Sequence, residues 1–240
     1  MQAVILAGGL GTRLRPFTEV LPKPLLPLGE KTIMEIQIES LKRFGVNKVF
    51  VATNYMSDLV EAFLAGGKRF EINVEVSRED KPLGTCGPIG LLRNKLTEPF
   101  LVMNGDILTK LDFLSLHDFA VAQKSCLTVG TKIITTPFRF GNVIVEDNLI
   151  VDIEEKPELK MEIVAGIYCM TPDVFHFIPE NCYFGMDSLI IQLLAKQQRV
   201  SRYLINEYWL DIGQVEDYSK AREHYETNFP TIEPSAQPGT

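Results

Sequence analysis

Histidine is scarce in this chain: His117, His176 and His224 stand far apart. The four cysteines, Cys86, Cys126, Cys169 and Cys182, show no C-x-x-C spacing. Together these shortages argue against a zinc site and make reduced cytosolic thiols the expectation. Positive charge is also short, with 24 Lys and Arg against 31 Asp and Glu and a net charge of −7. Such an acidic balance does not suit a nucleic-acid backbone. It leaves room for a small anionic substrate, which needs only a local basic pocket. No apolar run approaches the roughly 18 residues of a membrane span. The N-terminus has neither a basic segment nor a long apolar one, so no signal peptide is expected. No internal repeat is visible.

What the chain does have is an ordinary globular composition, 45% apolar and 23% charged over 240 residues, which suits one α/β domain. The stretch that organises it comes first. Ala3 to Leu6 reads as a short buried parallel strand, and it runs into Ala7-Gly8-Gly9-Leu10-Gly11-Thr12-Arg13. Three glycines let the loop turn tightly and bring backbone N–H groups to an anion. A helix N-terminus following the loop would favour phosphate further. Arg13 adds a permanently charged donor fork, and Lys23, between Pro22 and Pro24, adds a second cation. Such a loop at the carboxyl end of a first strand is where open α/β sheets bind nucleotides. It is not a Walker A loop, since no G-K-[ST] follows, and Gly8, Gly9 and Gly11 do not spell G-x-G-x-x-G. On the loop alone, a plain glycine turn with two surface cations remains the other reading.

Further along, Thr32-Ile33-Met34-Glu35 reads as a capping box opening a helix to about Phe44, with Gly45 as its stop. Lys48 to Thr53 predicts a second parallel strand, Asp58 to Leu64 a short helix ending at Gly66-Gly67, and Ile72 to Ser77 a third strand. A second glycine loop, Glu79 to Pro88, precedes a helix through about Leu92. Phe100 to Met103 is another buried strand, with Asn104-Gly105-Asp106 at its carboxyl end. An acid there is placed to hold Mg²⁺ beside phosphates, although an N-G-D turn alone would also explain it. Next come a helix over Leu111 to Lys124 and a strand over Cys126 to Ile134. A hairpin of Asn142–Glu146 with Leu149–Glu154 follows, and then a strand over Ile163 to Met170. Asp187 is expected to cap a helix from Ser188 to about Gln197, and a last helix runs from Glu216 to Tyr225. This rhythm predicts an α/β fold, a Rossmann-like three-layer domain with a mixed, mainly parallel sheet. Residues 1–227 make the domain, in a half of about 1–110 and a half of about 111–227. Residues 228–240, rich in Pro, Ser and Thr, are expected to be a disordered tail.

Leu6-Ala-Gly-Gly-Leu-Gly-Thr-Arg-Leu14, followed by Leu21-Pro-Lys-Pro-Leu-Leu-Pro-Leu-Gly29, resembles the signature of sugar-1-phosphate nucleotidylyltransferases. The likeness covers roughly residues 1 to 222, and its look is closest to guanylyltransferases for heptose, mannose or aminosugar 1-phosphates. The resemblance implies transfer of a nucleotidyl group from an NTP to a sugar 1-phosphate, releasing pyrophosphate, in the cytoplasm and for cell-surface polysaccharides. The attacking phosphate is already anionic, so alignment and charge neutralisation suffice without a covalent intermediate. Uridylyl, cytidylyl and thymidylyl transfer stay open, as do a phosphocholine-type acceptor and a silent regulatory subunit. A homo-oligomer is admitted, and neither nucleic acid nor membrane is expected as a partner.

By the same resemblance, Leu6, Ala7, Gly8, Gly9, Gly11 and Thr12 bind the nucleotide, the Gly8 to Gly11 amides holding its phosphates, with Arg13 and Lys23 as the catalytic cations. Glu79 and Gly84 contact the base; an acceptor-only carboxylate suits guanine N1–H and its amino group. The other reading of Glu79 is a solvated loop acid. Asp106 and Asp211, the latter in Tyr208-Trp209-Leu210-Asp211-Ile212-Gly213, hold Mg²⁺. Gly141, Glu155, Lys156, Val164 and Gly166 place the sugar phosphate, although without the resemblance Glu155 and Lys156 read as a charged hairpin end in water. Relatives often carry Asn where this chain has Val164, which bears on the identity of the sugar. Removing one charge-stabilising group typically lowers rate on the order of 10²–10³. Arg13→Ala is expected to lose that much turnover with its fold intact. Wild-type turnover in the purified variant would take the phosphates away from the first loop.

Overall fold

In the computed structural model, which describes residues 1–65 and 70–229, the chain begins with β1 (Gln2–Leu6). Three short 3₁₀ turns follow, Thr12–Leu14, Phe17–Glu19 and Lys23–Leu25, where an α-helix was expected after the glycine loop. Pro16, Pro22 and Pro24 lack the N–H groups that a continuous helix would need. β2 (Pro27–Leu28) and β3 (Lys31–Thr32) form a small ladder leading into α1 (Ile33–Arg43). The capping box is present: Thr32 Oγ1 accepts from Glu35 N at 3.2 Å, and Glu35 accepts from Thr32 N at 2.7 Å. β4 (Lys48–Thr53), α2 (Ser57–Leu64) and β5 (Asn73–Arg78) follow as read. The expected stop at Gly66-Gly67 lies outside the described residues.

α3 (Gly87–Gly90) is a single turn rather than a helix to Leu92, as glycines at both its ends would lead one to expect. Then come β6 (Phe100–Asn104), β7 (Ile107–Thr109), α4 (Phe113–Gln123), β8 (Leu127–Pro137), β9 (Asn142–Glu146) and β10 (Leu149–Glu154). β11 (Glu158–Met170) starts five residues earlier than its apolar run, because it continues to pair with the far end of β8. α5 (Met186–Ala195) is capped by Gly185, not Asp187. Asp187 is the second residue of the helix, and its carboxylate folds back over Gly185, where a Cβ would collide with it. β12 (Val200–Leu204), β13 (Trp209–Asp211) and α6 (Val215–Asn228) close the described chain. Asn228 therefore belongs to the last helix, and the expected tail over 230–240 lies outside the described residues.

Among the described residues, seven strands form one sheet in the order β12-β8-β11-β6-β1-β4-β5. Six run the same way, and β11 alone is antiparallel to both of its neighbours. The central strands are buried on both faces. On one side Ile5, Val51 and Met103 pack against Met34, Ile38 and Leu41 of α1 and Phe113 of α4. On the other, Val4, Phe50 and Val102 pack against Ile89, Leu189 and Leu193. The result is the mixed, mainly parallel three-layer α/β fold that the sequence predicts.

A third, smaller core joins the two ends of the chain. Leu14, Leu26 and Leu28 pack against Ile212, Tyr218 and Tyr225, and the Tyr218 hydroxyl donates to Pro27 O at 2.6 Å. This core carries β13 to the first loop. Among the described residues, no helix is long and apolar enough to cross a membrane. Because α1 starts on a complete capping box, Thr32→Ala is expected to cost about 1 kcal/mol. Thermal unfolding should then show Tm lowered by about 2–4 °C, the shift usual at this chain size.

Candidate active site

The carboxyl ends of β1 and β6 lie side by side, with Leu6 in register with Asn104. This brings the glycine loop against the Asn104–Ile107 turn. Gly105 N donates to Leu6 O at 2.8 Å, and a Cβ on Gly105 would meet that same oxygen at 2.7 Å and Pro24 at 3.2 Å. Only glycine lets the turn sit this close. Lys23 Nζ then lies 2.5 Å from Asp106 Oδ2, with both side chains largely shielded, at 11% and 26% exposure. The other oxygen, Asp106 Oδ1, is buried and has no hydrogen-bond partner among the described residues.

β13 brings the second acid. Asp211 pairs opposite Ile107, and Ile212 N donates to Asp106 O at 3.0 Å. Asp211 sits at an exposed strand end, yet the protein atoms around it strip away enough water to raise its carboxyl above the usual Asp range. The negative Asp106 beside it raises it further, while Lys23 and Arg13 pull it down. Arg13 completes the group: its guanidinium lies against Gly213, where a Cβ would stand 3.7 Å from Nη1 and Nη2. The structure thus gathers Arg13, Lys23, Asp106 and Asp211, residues up to 198 positions apart, at one point.

Beside this cluster a pocket of about 440 Å³ opens between the glycine loop and the Glu79–Thr85 loop. Leu6, Gly8, Gly9, Glu79, Gly84 and Asp106 all line it. Ala7 is buried behind it and donates its N–H to Ala52 O at 2.7 Å, while Thr12 is exposed at the start of the first 3₁₀ turn. Gly11 adopts a left-handed φ of 60°, and its carbonyl accepts from buried Thr18 Oγ1 at 2.8 Å. A groove of about 640 Å³ lined by Phe17, Val20 and Tyr218 is larger, but among the described residues Arg222 is its only charged group.

Glu79 is not a solvated acid: it is 6% exposed. One carboxylate oxygen accepts from Leu83 N at 2.9 Å, and the other lies so close to Gly8 that a Cβ there would stand 2.6 Å away. Burial raises its carboxyl above the ordinary 4.5, and the Leu83 N–H only partly offsets this. The sequence places Gly84 against a base. The close approach that the structure shows is to Phe184, whose carbonyl would lie 2.7 Å from a Cβ at Gly84, and Gly84 also has φ 82°. Phe184 N donates to Leu83 O, and Met186 N donates to Thr85 Oγ1, so the loop is strapped to the segment before α5. Exposed Tyr183 stands at the pocket edge.

The sugar-side residues separate into two groups. Gly166 is buried with Asn104 Nδ2 2.6 Å from its missing Cβ, so it packs behind a residue of the pocket wall. Trp209 Nε1 donates to the neighbouring Ala165 O at 2.9 Å and ties β13 to the same spot. Val164, by contrast, is half exposed, two residues away on β11. Gly141 and Glu155 meet at the base of the β9–β10 hairpin, 3.3 Å apart by the same Cβ measure, and Lys156 lies 4.0 Å from Glu155. Both charged side chains are about 70% exposed, and among the described residues no hydrogen bond or ion pair joins them to the Asp106 cluster.

Chemically, the cluster offers hard oxygen ligands next to cations. No group of three or more His, Cys, Asp or Glu among the described residues could hold a metal unaided. Two carboxylates, one with a bare buried oxygen, suit a cation whose other ligands are substrate phosphates and water. Burial pushes the Cys86 and Cys169 thiols up to about 12, so neither is a thiolate near neutral pH. Sequence reasoning missed Thr18, Gln37 and Tyr183. The signal for Gln37 was a polar residue inside the apolar stripe of α1; Thr18 and Tyr183 gave none.

The family model described as nucleotidyl transferase matches residues 2–228. The chain belongs to the nucleotidyl transferase family. "Probable mannose-1-phosphate guanylyltransferase 1" of Oryza sativa subsp. japonica is 36% identical over 230 residues, which is 91% of this chain and 63% of that protein. The mannose-1-phosphate guanyltransferase of Saccharomyces cerevisiae is 34% identical over 228 residues, with the same shares. This nucleotidyl transferase chain thus spans under two thirds of the length of those relatives. Among solved structures, HddC from Yersinia pseudotuberculosis matches with a TM-score of 0.74 at 26% identity, over 93% of this chain and 99% of that one.

The raised carboxyl of Glu79 makes a pH test. Below its ordinary value of 4.5 the group is protonated folded or unfolded, and contributes nothing. As pH rises from there, the unfolded chain ionises first, so stability is lost until the folded pKa is passed. Glu79→Gln removes that loss. Its Tm relative to wild type is expected to climb with pH above 4.5 and then level off, and a constant difference would show that Glu79 is solvated.

Proposed function

We propose that this nucleotidyl transferase moves a guanylyl group from GTP to a sugar 1-phosphate, releasing pyrophosphate, with mannose 1-phosphate the first acceptor to try. The observation that carries the reading is the convergence of Arg13, Lys23, Asp106 and Asp211 at the mouth of the glycine-loop pocket. The guanine choice draws on the guanylyltransferase relatives and on the structure of HddC complexed with GMP-PN. It also draws on Glu79, an acceptor-only group on the pocket wall that matches the N1–H and amino group of guanine. Tyr183 offers a ring face to the base from the pocket edge.

In this reading the Gly8–Gly11 amides and Arg13 hold the β- and γ-phosphates and stabilise the leaving pyrophosphate. Lys23 has three ammonium protons; Asp106 engages one, leaving two for phosphate oxygens at the reacting phosphorus. Asp106 and Asp211 would hold Mg²⁺, which when bound supplies charge neutralisation between two anionic reactants. Gly166 borders the acceptor, and Glu155 with Lys156 receives the sugar phosphate from the hairpin. A cytoplasmic enzyme, able to form a homo-oligomer and supplying nucleotide sugars for cell-surface polysaccharides, is the setting that fits this chemistry.

A pyrophosphate-release screen with Mg²⁺ tests it, crossing GTP, UTP, CTP, dTTP and ATP with mannose, glucose, N-acetylglucosamine and heptose 1-phosphates. Release is expected with GTP and one sugar, and none from Asp106→Ala. Release with UTP alone would overturn the guanine reading, and silence with no NTP binding would overturn the site.

A further inference from the structure

Gln37 lies on the inward face of α1 and is 2% exposed among Met34, Ile38 and Leu41. A carboxamide is costly at such a position unless its groups are paired. Its Nε2 donates to Asn104 O at 3.0 Å and to Ile107 O at 2.8 Å. These carbonyls are the two ends of the turn that carries Gly105 and Asp106. Both acceptors are carbonyls, so the NH₂ end must face them, and each of its hydrogens serves one. The other end, Gln37 Oε1, is buried and has no hydrogen-bond partner among the described residues. α1 does not need this side chain for packing, since an apolar residue of equal length would fill the space. The chain instead tolerates an unpaired oxygen in order to clamp the turn.

We infer that Gln37 is a positioning residue for Asp106, holding the turn in the geometry that presents the bare Oδ1 to a divalent cation. This rests on the proposed reading of Asp106 as a metal ligand. Two other contacts fix the same turn, Gly105 N to Leu6 O and Ile212 N to Asp106 O, but both act on backbone groups inside it. Among the described residues, the Gln37 side chain alone spans it from end to end. Partners that orient a metal ligand typically change metal affinity 10–100-fold when removed.

The test is titration of the purified protein with Mn²⁺ followed by electron paramagnetic resonance. Alongside it go GTP binding in EDTA by calorimetry and the Mg²⁺ dependence of pyrophosphate release. Gln37→Met keeps length and apolar packing but has no donor, and Gln37→Glu keeps shape but cannot serve two carbonyls while ionised. Both are expected to weaken Mn²⁺ binding at least tenfold. GTP binding in EDTA should stay near wild type, and turnover should recover at saturating Mg²⁺. Asp106→Ala is expected to abolish Mn²⁺ binding; if it binds Mn²⁺ like wild type, the metal reading itself falls. If Asp106→Ala loses Mn²⁺ while folded Gln37→Met binds it like wild type, the clamp is refuted and the metal reading stands. Equal loss of Mn²⁺ and GTP binding, or failure of both Gln37 variants to fold, would assign Gln37 to the core and also refute it.

Discussion

Two like charges held together are the constraint on which this structure depends. Asp106 and Asp211 repel, and each would relax away if the backbone allowed it. The backbone does not allow it: Asp106 is fixed by the β1–β6 register and the tight Gly105 contact, and Asp211 by pairing with β7. Lys23 and Arg13 then offset part of the repulsion from segments that have no other regular structure. The proline-interrupted 3₁₀ turns and the small third core follow from this need. They exist where two cations must be delivered to a fixed pair of acids.

The sequence was most legible where the signal was local. β1, β4 and β6 announced themselves as apolar runs, and α1 by a capping box only four residues long. The β9–β10 hairpin was readable from its alternation and its Asp147-Asn148 turn, both of whose residues take positive φ. Local signals failed where tertiary contact overrode them. Asp187 is a good cap by type, yet Gly185 took the position and Asp187 folded over it.

The site was legible as a set of residues but not as a geometry. Arg13, Lys23, Asp106 and Asp211 could be named from spacing and resemblance, and the fold brings them together. That Lys23 rests on Asp106, that Gly84 packs on Phe184 and that Gln37 spans the acid's turn all depend on contacts between residues 67 to 100 positions apart. No periodicity encodes such pairings. Glu155 and Lys156 show the converse: the motif is clear in sequence, while the fold leaves it on an exposed hairpin.

β11 has a mechanical consequence. Its last residues, Ile167 to Met170, are anchored on β6, and the stretch from Glu158 to Val164 pairs with β8 alone. The ladder is broken between Val164 and Tyr168, the irregularity that contains Gly166. The strand is a cantilever rooted in the sheet, with the hairpin hung on its free end. A loaded cantilever bends at its root, and here the root touches Asn104 and the indole of Trp209 reaches Ala165 beside it. The root of this cantilever is thus built into the wall beside the two acids, while its tip stands clear of the central sheet.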